Sequence, residues 1–142
     1  MQISKKADYA LRAVVILSGL PPGKTMQTQE LAKAGSIPTK FLEQILLVLK
    51  RSGLLKSKRG VGGGYQLARE SRLISLGSVI ESIDGELCYL VDADDFPSFN
   101  GSRRLIASLR KGQELLNDYL SETSIEDLME QGDDGSMVGY GI

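Results

Sequence analysis

The stretch Lys56-Ser57-Lys58-Arg59-Gly60-Val61-Gly62-Gly63-Gly64-Tyr65 sets three cations among four glycines. Glycine lets a backbone approach a partner closely and take positive φ without strain, and cations beside it select an anionic partner. Two phosphate-cradle readings fail on the residues. A P-loop ends in Gly-Lys-Ser/Thr and runs into a helix, and neither is present. The dinucleotide pattern G-x-G-x-x-G needs a third glycine where Tyr65 stands. What remains is a glycine-tipped β-hairpin, with Leu54-Leu55 opening one strand and Tyr65-Gln66-Leu67 the other.

Chemistry of other kinds is poorly served. The 142 residues include no histidine, which removes the commonest general base and the commonest metal ligand together. No activated nucleophile is arranged with a base. No catalytic residue, metal site or cofactor is expected, and the chain is not expected to be an enzyme. The single cysteine, Cys88, excludes an internal disulfide and suits a reducing cytoplasm. No secretory signal is expected, since the apolar run Ala13–Leu17 is interrupted and lacks a cleavage site. No run is long enough to cross a bilayer.

The net charge of −1 hides a division. Residues 1–72 carry 13 Lys and Arg against 4 Asp and Glu, and residues 73–142 carry 4 against 14. A half at +9 joined to a half at −10 implies two jobs in one chain.

Helical spacing positions the basic hairpin. Ser4 caps a first helix whose Ala7, Ala10, Leu11, Val14 and Leu17 share a face, and Gly19 with Pro21-Pro22-Gly23 ends it. A short second helix spans about 28–34, with Thr28 as cap and Gly35 as stop. Pro38 sits just inside a third helix, where its missing N–H costs nothing. That helix buries Phe41 or Leu42 with Ile45, Leu46 and Leu49, and stops at Gly53. Two helices joined through a glycine-containing turn make a helix-turn-helix, and the hairpin behind them is its wing. A fourth helix covers 75–83, and 84–102 is a loop. A long helix over 102–120 carries Leu105, Leu109, Leu116, Tyr119 and Leu120 near a 3.5-residue repeat, with Gly112 inside the stripe. Thr123-Ser124-Ile125-Glu126 reads as a capping box for a last helix through Met129.

Thr39, Lys40, Glu43 and Gln44 lie in the first turns of the third helix, off its apolar stripe. Those turns are where a recognition helix meets base edges: Gln pairs with adenine, Glu accepts from cytosine, Lys reaches guanine or phosphate. Arg59 at the glycine tip suits a narrow minor groove, whose negative potential attracts a planar guanidinium. Lys50, Arg51, Lys56 and Lys58 suit phosphates, which position without specifying.

Ile3-Ser4, Tyr9-Ala10-Leu11-Arg12, Phe41-Leu42-Glu43-Gln44, Leu54 and Arg59-Gly60-x-Gly62-Gly63-Gly64-Tyr65 resemble the bacterial Rrf-type regulators, the family of IscR, NsrR and CymR. The motifs cover about 1–85, and the likeness continues more loosely to about Leu128. The resemblance implies a dimeric winged-helix transcription regulator. It places base contacts at Pro38, Thr39, Lys40, Phe41, Glu43 and Gln44 and a minor-groove contact at Arg59, with Gly60, Gly62 and Gly63 around it. It also implies phosphate contacts at Tyr9 and Arg51 and dimerisation through about 102–120. Many members hold an iron–sulfur cluster on three cysteines in the loop before the dimer helix, and here that loop has only Cys88. Clusters are held by four thiolates or by thiolates with histidine, and Asp8, Asp92, Asp94 and Asp95 are hard substitutes for soft sulfur. No cluster is therefore expected.

The expected fold is mainly α with a small β-hairpin wing: a winged helix-turn-helix DNA-binding domain plus a long C-terminal dimerisation helix. The winged helix-turn-helix DNA-binding domain occupies 1–84, a loop at the family's sensor position 85–101, the dimerisation helix and a short last helix 102–131, and a flexible acidic, glycine-rich tail 132–142. The function read from this is a cytoplasmic homodimeric repressor on double-stranded DNA, with no membrane contact and an unidentified effector. Two rivals are a winged helix that docks a protein, and a regulator sensing an effector or redox state through the Cys88–Gly101 loop. Asp84 and Glu86 count against a reactive Cys88, because neighbouring negative charge raises a thiol pKa.

Overall fold

The computed structural model describes residues 2–130, so the tail expected over 132–142 lies outside the described residues. Helix α1 (Lys5–Ser18) starts at Ser4, whose Oγ accepts the Ala7 N–H at 3.0 Å. Its inner face is Ala7, Ala10, Ala13, Val14 and Leu17, all buried. Three alanines bring neighbouring backbones close, and α1 becomes the centre on which most other elements pack.

Helix α2 (Thr28–Gly35) begins with Thr28 already helical and ends one residue later than its glycine suggests. Thr28 is not the cap: Gln27 holds that position and makes no side-chain capping bond. Gly35 is not the stop either. It stays helical, and packing explains the glycine: a Cβ there would lie 2.8 Å from Ile37 Cδ1 and 3.1 Å from Ile16 Cδ1. Ser36 takes the left-handed turn instead, at φ 52°. Glycine serves packing at this corner, and serine serves conformation.

Helix α3 (Thr39–Arg51) buries Leu42, Ile45, Leu46 and Leu49, which settles the choice at its start: Phe41 faces out. Pro38 stands at the N-cap rather than within the first turn. Its ψ of 126° is extended, and its carbonyl receives the N–H groups of Phe41 and Leu42, each at 3.1 Å.

Strands β1 (Leu55–Lys58) and β2 (Gly64–Leu67) pair antiparallel, Leu55 opposite Leu67 and Lys58 opposite Gly64. Met26 adds a one-residue edge, exchanging both backbone hydrogen bonds with Tyr65 at 2.8 and 3.0 Å. A 3-10 turn at Ser71–Leu73 leads to α4 (Leu76–Asp84), capped reciprocally by Ser75 and Ser78. After the irregular stretch to Gly101 come α5 (Ser102–Glu122) and α6 (Ile125–Glu130).

The box before α6 lies one residue further on than expected. Ser124 Oγ accepts the Asp127 N–H at 3.1 Å, and Asp127 Oδ2 accepts the Ser124 N–H at 2.8 Å. Thr123 cannot serve, because its hydroxyl donates back to the Tyr119 carbonyl at 2.7 Å and closes α5. Ile125 then plugs, fully buried, into the same core as Val14 and Leu46.

Candidate nucleic-acid interface

Packing sorts α3 into a buried stripe and an outer face. Thr39, Lys40, Glu43, Gln44, Lys50 and Arg51 are all exposed, and Phe41 and Leu47 stand outward as its apolar members, 43% and 49% exposed. Tyr9 of α1 lies beside the start of this face, its ring 6.3 Å from that of Phe41. The Arg12 guanidinium stacks over the Tyr9 ring at 5.2 Å, is bound by Asp8 at 2.7 Å, and donates to the carbonyls of Gly35 and Ser36 at 3.2 and 3.4 Å. One side chain thus holds Tyr9 in place and supplies positive charge to the carbonyl end of α2, where the helix dipole favours it. The sequence motif contained Arg12 without revealing this task.

The wing is a rigid turn. Gly63 N–H reaches the Gly60 carbonyl at 2.9 Å across the tip, and Gly60 and Gly62 take φ of 90° and 76°. A Cβ on Gly63 would collide with the Lys58 carbonyl, and one on Gly64 with the Met26 carbonyl. Those two glycines are required by close approach, within the wing and against the edge before α2. Lys58, Arg59, Gly60, Val61 and Gly62 are exposed, and among the described residues Arg59, Lys58, Lys40 and Arg51 form no ion pair. Cations left unneutralised on a fixed scaffold are available to phosphates.

Two ties fix the wing to the helices. Lys50 Nζ donates to Ser57 Oγ at 2.7 Å, joining the end of α3 to β1. Thr25 Oγ1 donates to the Gly62 carbonyl at 2.6 Å, joining the segment before α2 to the wing tip. Thr25 carried no sequence signal, because a bond spanning 37 residues leaves no local pattern.

The long α5 divides the apolar stripe read from its sequence. Leu109 and Leu120 are half-buried, whereas Leu105, Leu116 and Tyr119 are exposed, joined by Leu115 at 59%. Gly112 is exposed, and a Cβ added there would find only Leu90 Cδ1, at 3.9 Å. The loop before α5 is pinned along it. Asn117 receives the Cys88 N–H at 2.8 Å and donates to the Cys88 carbonyl at 3.1 Å, and Gln113 Oε1 receives the Leu90 N–H at 2.9 Å. Cys88 is half-buried in this clasp. Among the described residues no helix is long and apolar enough to cross a membrane.

Comparison with known proteins agrees with this geometry. A family model described as Rrf2, iron-dependent transcriptional regulator, matches residues 3–131. The protein Rv1287 of Mycobacterium tuberculosis, named as an HTH-type transcriptional regulator, is 37% identical over 130 residues, covering 90% of this chain and 81% of its own. Among solved structures, the global cysteine regulator CymR (YrzC) of B. subtilis superposes with a TM-score of 0.80 at 27% identity, covering 94% of this chain and 99% of its own. IscR of T. potens does so with a TM-score of 0.77 at 25% identity, covering 96% and 92%. Among the described residues no three His, Cys, Asp or Glu side chains group to hold a metal ion, and the loop offers one sulfur.

Replacing Thr25 with Val removes the tie to Gly62 and keeps the side chain's shape. A neutral hydrogen bond contributes about 1 kcal/mol, about fivefold in a binding constant. Thr25→Val is expected to weaken binding to the protein's DNA site by up to about that factor and to lower the melting temperature by a few degrees at most, since the same bond contributes about 1 kcal/mol to stability, and Thr25→Ser to restore both. Equal affinity of Thr25→Val and wild type in a fluorescence-anisotropy titration would show that the tie does not position the wing.

Proposed function

The chain belongs to the Rrf2 family of transcriptional regulators, and from that premise we propose that it is a homodimeric repressor that binds an imperfect DNA palindrome without an iron–sulfur cluster. The observation that carries the reading is the joint exposure of the α3 outer face and the wing on one scaffold, tied by Lys50 and Thr25. Thr39, Lys40, Glu43 and Gln44 enter the major groove, with Pro38 and Phe41 against the base edges and backbone at its entrance. Arg59 enters the adjoining minor groove from the Gly60–Gly63 tip, and Tyr9, Arg51 and Lys58 meet phosphates. Twofold symmetry sets the half-sites one or two helical turns apart. A regulator working on DNA in this way operates in the cytoplasm.

The charge order of α5 supports the dimer and gives it a direction. Its cations, Arg103, Arg104, Arg110 and Lys111, lie in the first half, and its anions, Glu114, Asp118 and Glu122, in the second. That order opposes the helix dipole, which favours anions at the start and cations at the end. Among the described residues none of these groups forms an ion pair that would compensate. An antiparallel pair crossing at Gly112 does compensate. It sets Leu105 against Tyr119 of the partner subunit and, on one flank of that face, Arg104 against Glu122 of the partner subunit, with no Cβ at the crossing to hold the backbones apart.

Four measurements test the proposal. Arg59→Ala is expected to cost 1–3 kcal/mol in DNA affinity, concentrated on sites with a narrow minor groove. A loss spread evenly over all sequences would make Arg59 a phosphate contact, and binding that ignores salt, against an expected slope near −0.9 per phosphate neutralised, would remove DNA as the partner. For the dimer, Arg104→Glu is expected to raise the dissociation constant in analytical ultracentrifugation about tenfold, from two symmetry-related pairs of up to about 1 kcal/mol each, and the swap Arg104→Glu with Glu122→Arg to recover it. A swap as weak as the single variant would rule out the antiparallel pairing. Anaerobic reconstitution with iron and sulfide is expected to leave the protein colourless, and stoichiometric uptake of both would overturn the cluster-free reading.

A further inference from the structure

Where the start of α1, the end of α4, the following loop and α5 meet, the fold leaves a cavity of about 300 Å³. That is the small end of the range for small-molecule sites. Ile3, Ile80, Leu87, Leu116 and Leu120 make its walls, contributed by all four segments. Asp84, Glu86 and Tyr89 also line it, and neither lysine nor arginine does.

The polar side of the cavity is anionic and uncompensated. Asp84 receives only neutral donors, the Ser4 hydroxyl at 2.5 Å and the Ser4 N–H at 3.5 Å. Neither Asp84 nor Glu86 forms an ion pair among the described residues. The Tyr89 phenol titrates above its usual value, first through loss of water and then through the negative charge of Asp92, which also takes its hydrogen bond, with Glu86 and Asp94 adding to it. An anionic ligand would meet this repulsion, whereas a cation would gain charge-assisted hydrogen bonds from two carboxylates that face solvent.

We propose that this cavity is an effector site for a small organic monocation, an ammonium group carried on a compact apolar body. The apolar body lies among Ile80, Leu87 and Leu120, and the ammonium faces Asp84 and Glu86. The position is central to the molecule. Asp84 holds Ser4, the cap of the helix that presents Tyr9, and Asn117 and Gln113 pin the cavity's loop wall to α5. An occupant therefore touches the root of the DNA-reading unit and the helix proposed to hold the dimer. The proposal goes beyond DNA binding and is tested without DNA, so either can fail alone.

Hexylammonium, hexan-1-ol and hexanoate are titrated into the full chain by calorimetry, while alkylation of Cys88, which lines the cavity, is followed with iodoacetamide. Hexylammonium is expected to bind at one site per chain and to slow the alkylation. Hexanol should bind about fivefold more weakly, the upper range for an exposed ion pair, and hexanoate not at all. Glu86→Gln, at an exposed position, should bring hexylammonium close to hexanol, and Leu87→Trp, filling the cavity from the loop, should abolish both. Equal binding of hexanoate and hexylammonium, or saturation by hexylammonium without protection of Cys88, would overturn the assignment. So would the absence of uptake with alkylation that slows as protein concentration rises, which would place a second copy of the chain in the cavity.

Discussion

The close approach of backbones to the alanine face of α1 is the constraint from which the rest of the molecule follows. Ala7, Ala10 and Ala13 are completely buried, and a methyl group is all that separates α1 from whatever packs there. Interiors pack at crystal density and transmit displacement rather than absorb it. The elements on that face are therefore held at a fixed mutual geometry. This matters for the proposed DNA reading because α3 and the hairpin that follows it must be spaced to suit two adjoining grooves.

The polar ties refine what the alanines fix. Arg12 reaches from α1 to the carbonyl end of α2, so the turn of the helix-turn-helix is held by a charge on the central helix. Met26 pairs with Tyr65, and Thr25 holds Gly62, so the segment entering α2 is also the third edge of the wing. Each bond is modest in net free energy. Their effect lies in geometry: α2, α3 and the wing cannot shift separately without breaking at least one of them.

The sequence made the local elements legible because each is written in local terms. The Ser4 cap, the Leu42-Ile45-Leu46-Leu49 stripe and the glycine tip each lie within a few residues. Its errors arose where a distant contact chose between local alternatives. Gly35 looked like a helix stop, but contact with Ile16 and Ile37 explains the glycine, and Ser36 takes the turn. Thr123 looked like a cap, but its hydroxyl was already used by Tyr119. Among the site residues, the exposed cations of α3 and the wing could be picked from spacing. Arg12 and Thr25 as positioning groups could not, since their partners lie 23 and 37 residues away. Leu115 was missed for a different reason: the heptad-like reading of α5 followed one repeat, and only packing shows which leucines the chain covers itself.

The division of charge acquires a structural meaning from these placements. The basic half supplies α3 and the wing, where exposed cations that form no ion pair among the described residues suit the external polyanion of the proposed reading. The acidic half supplies the end of α4, the loop and the second part of α5, and excess negative charge there keeps that surface off the DNA. The same acidity lines the cavity beside Cys88. A loop that must hold iron needs soft donors in a defined array, whereas this loop has one sulfur, and its backbone is already clasped by Asn117. The DNA-reading end thus depends on backbone geometry and cations that the fold keeps in register. The loop end has a different chemistry, carboxylates beside an apolar wall, and the proposed cation site rests on it.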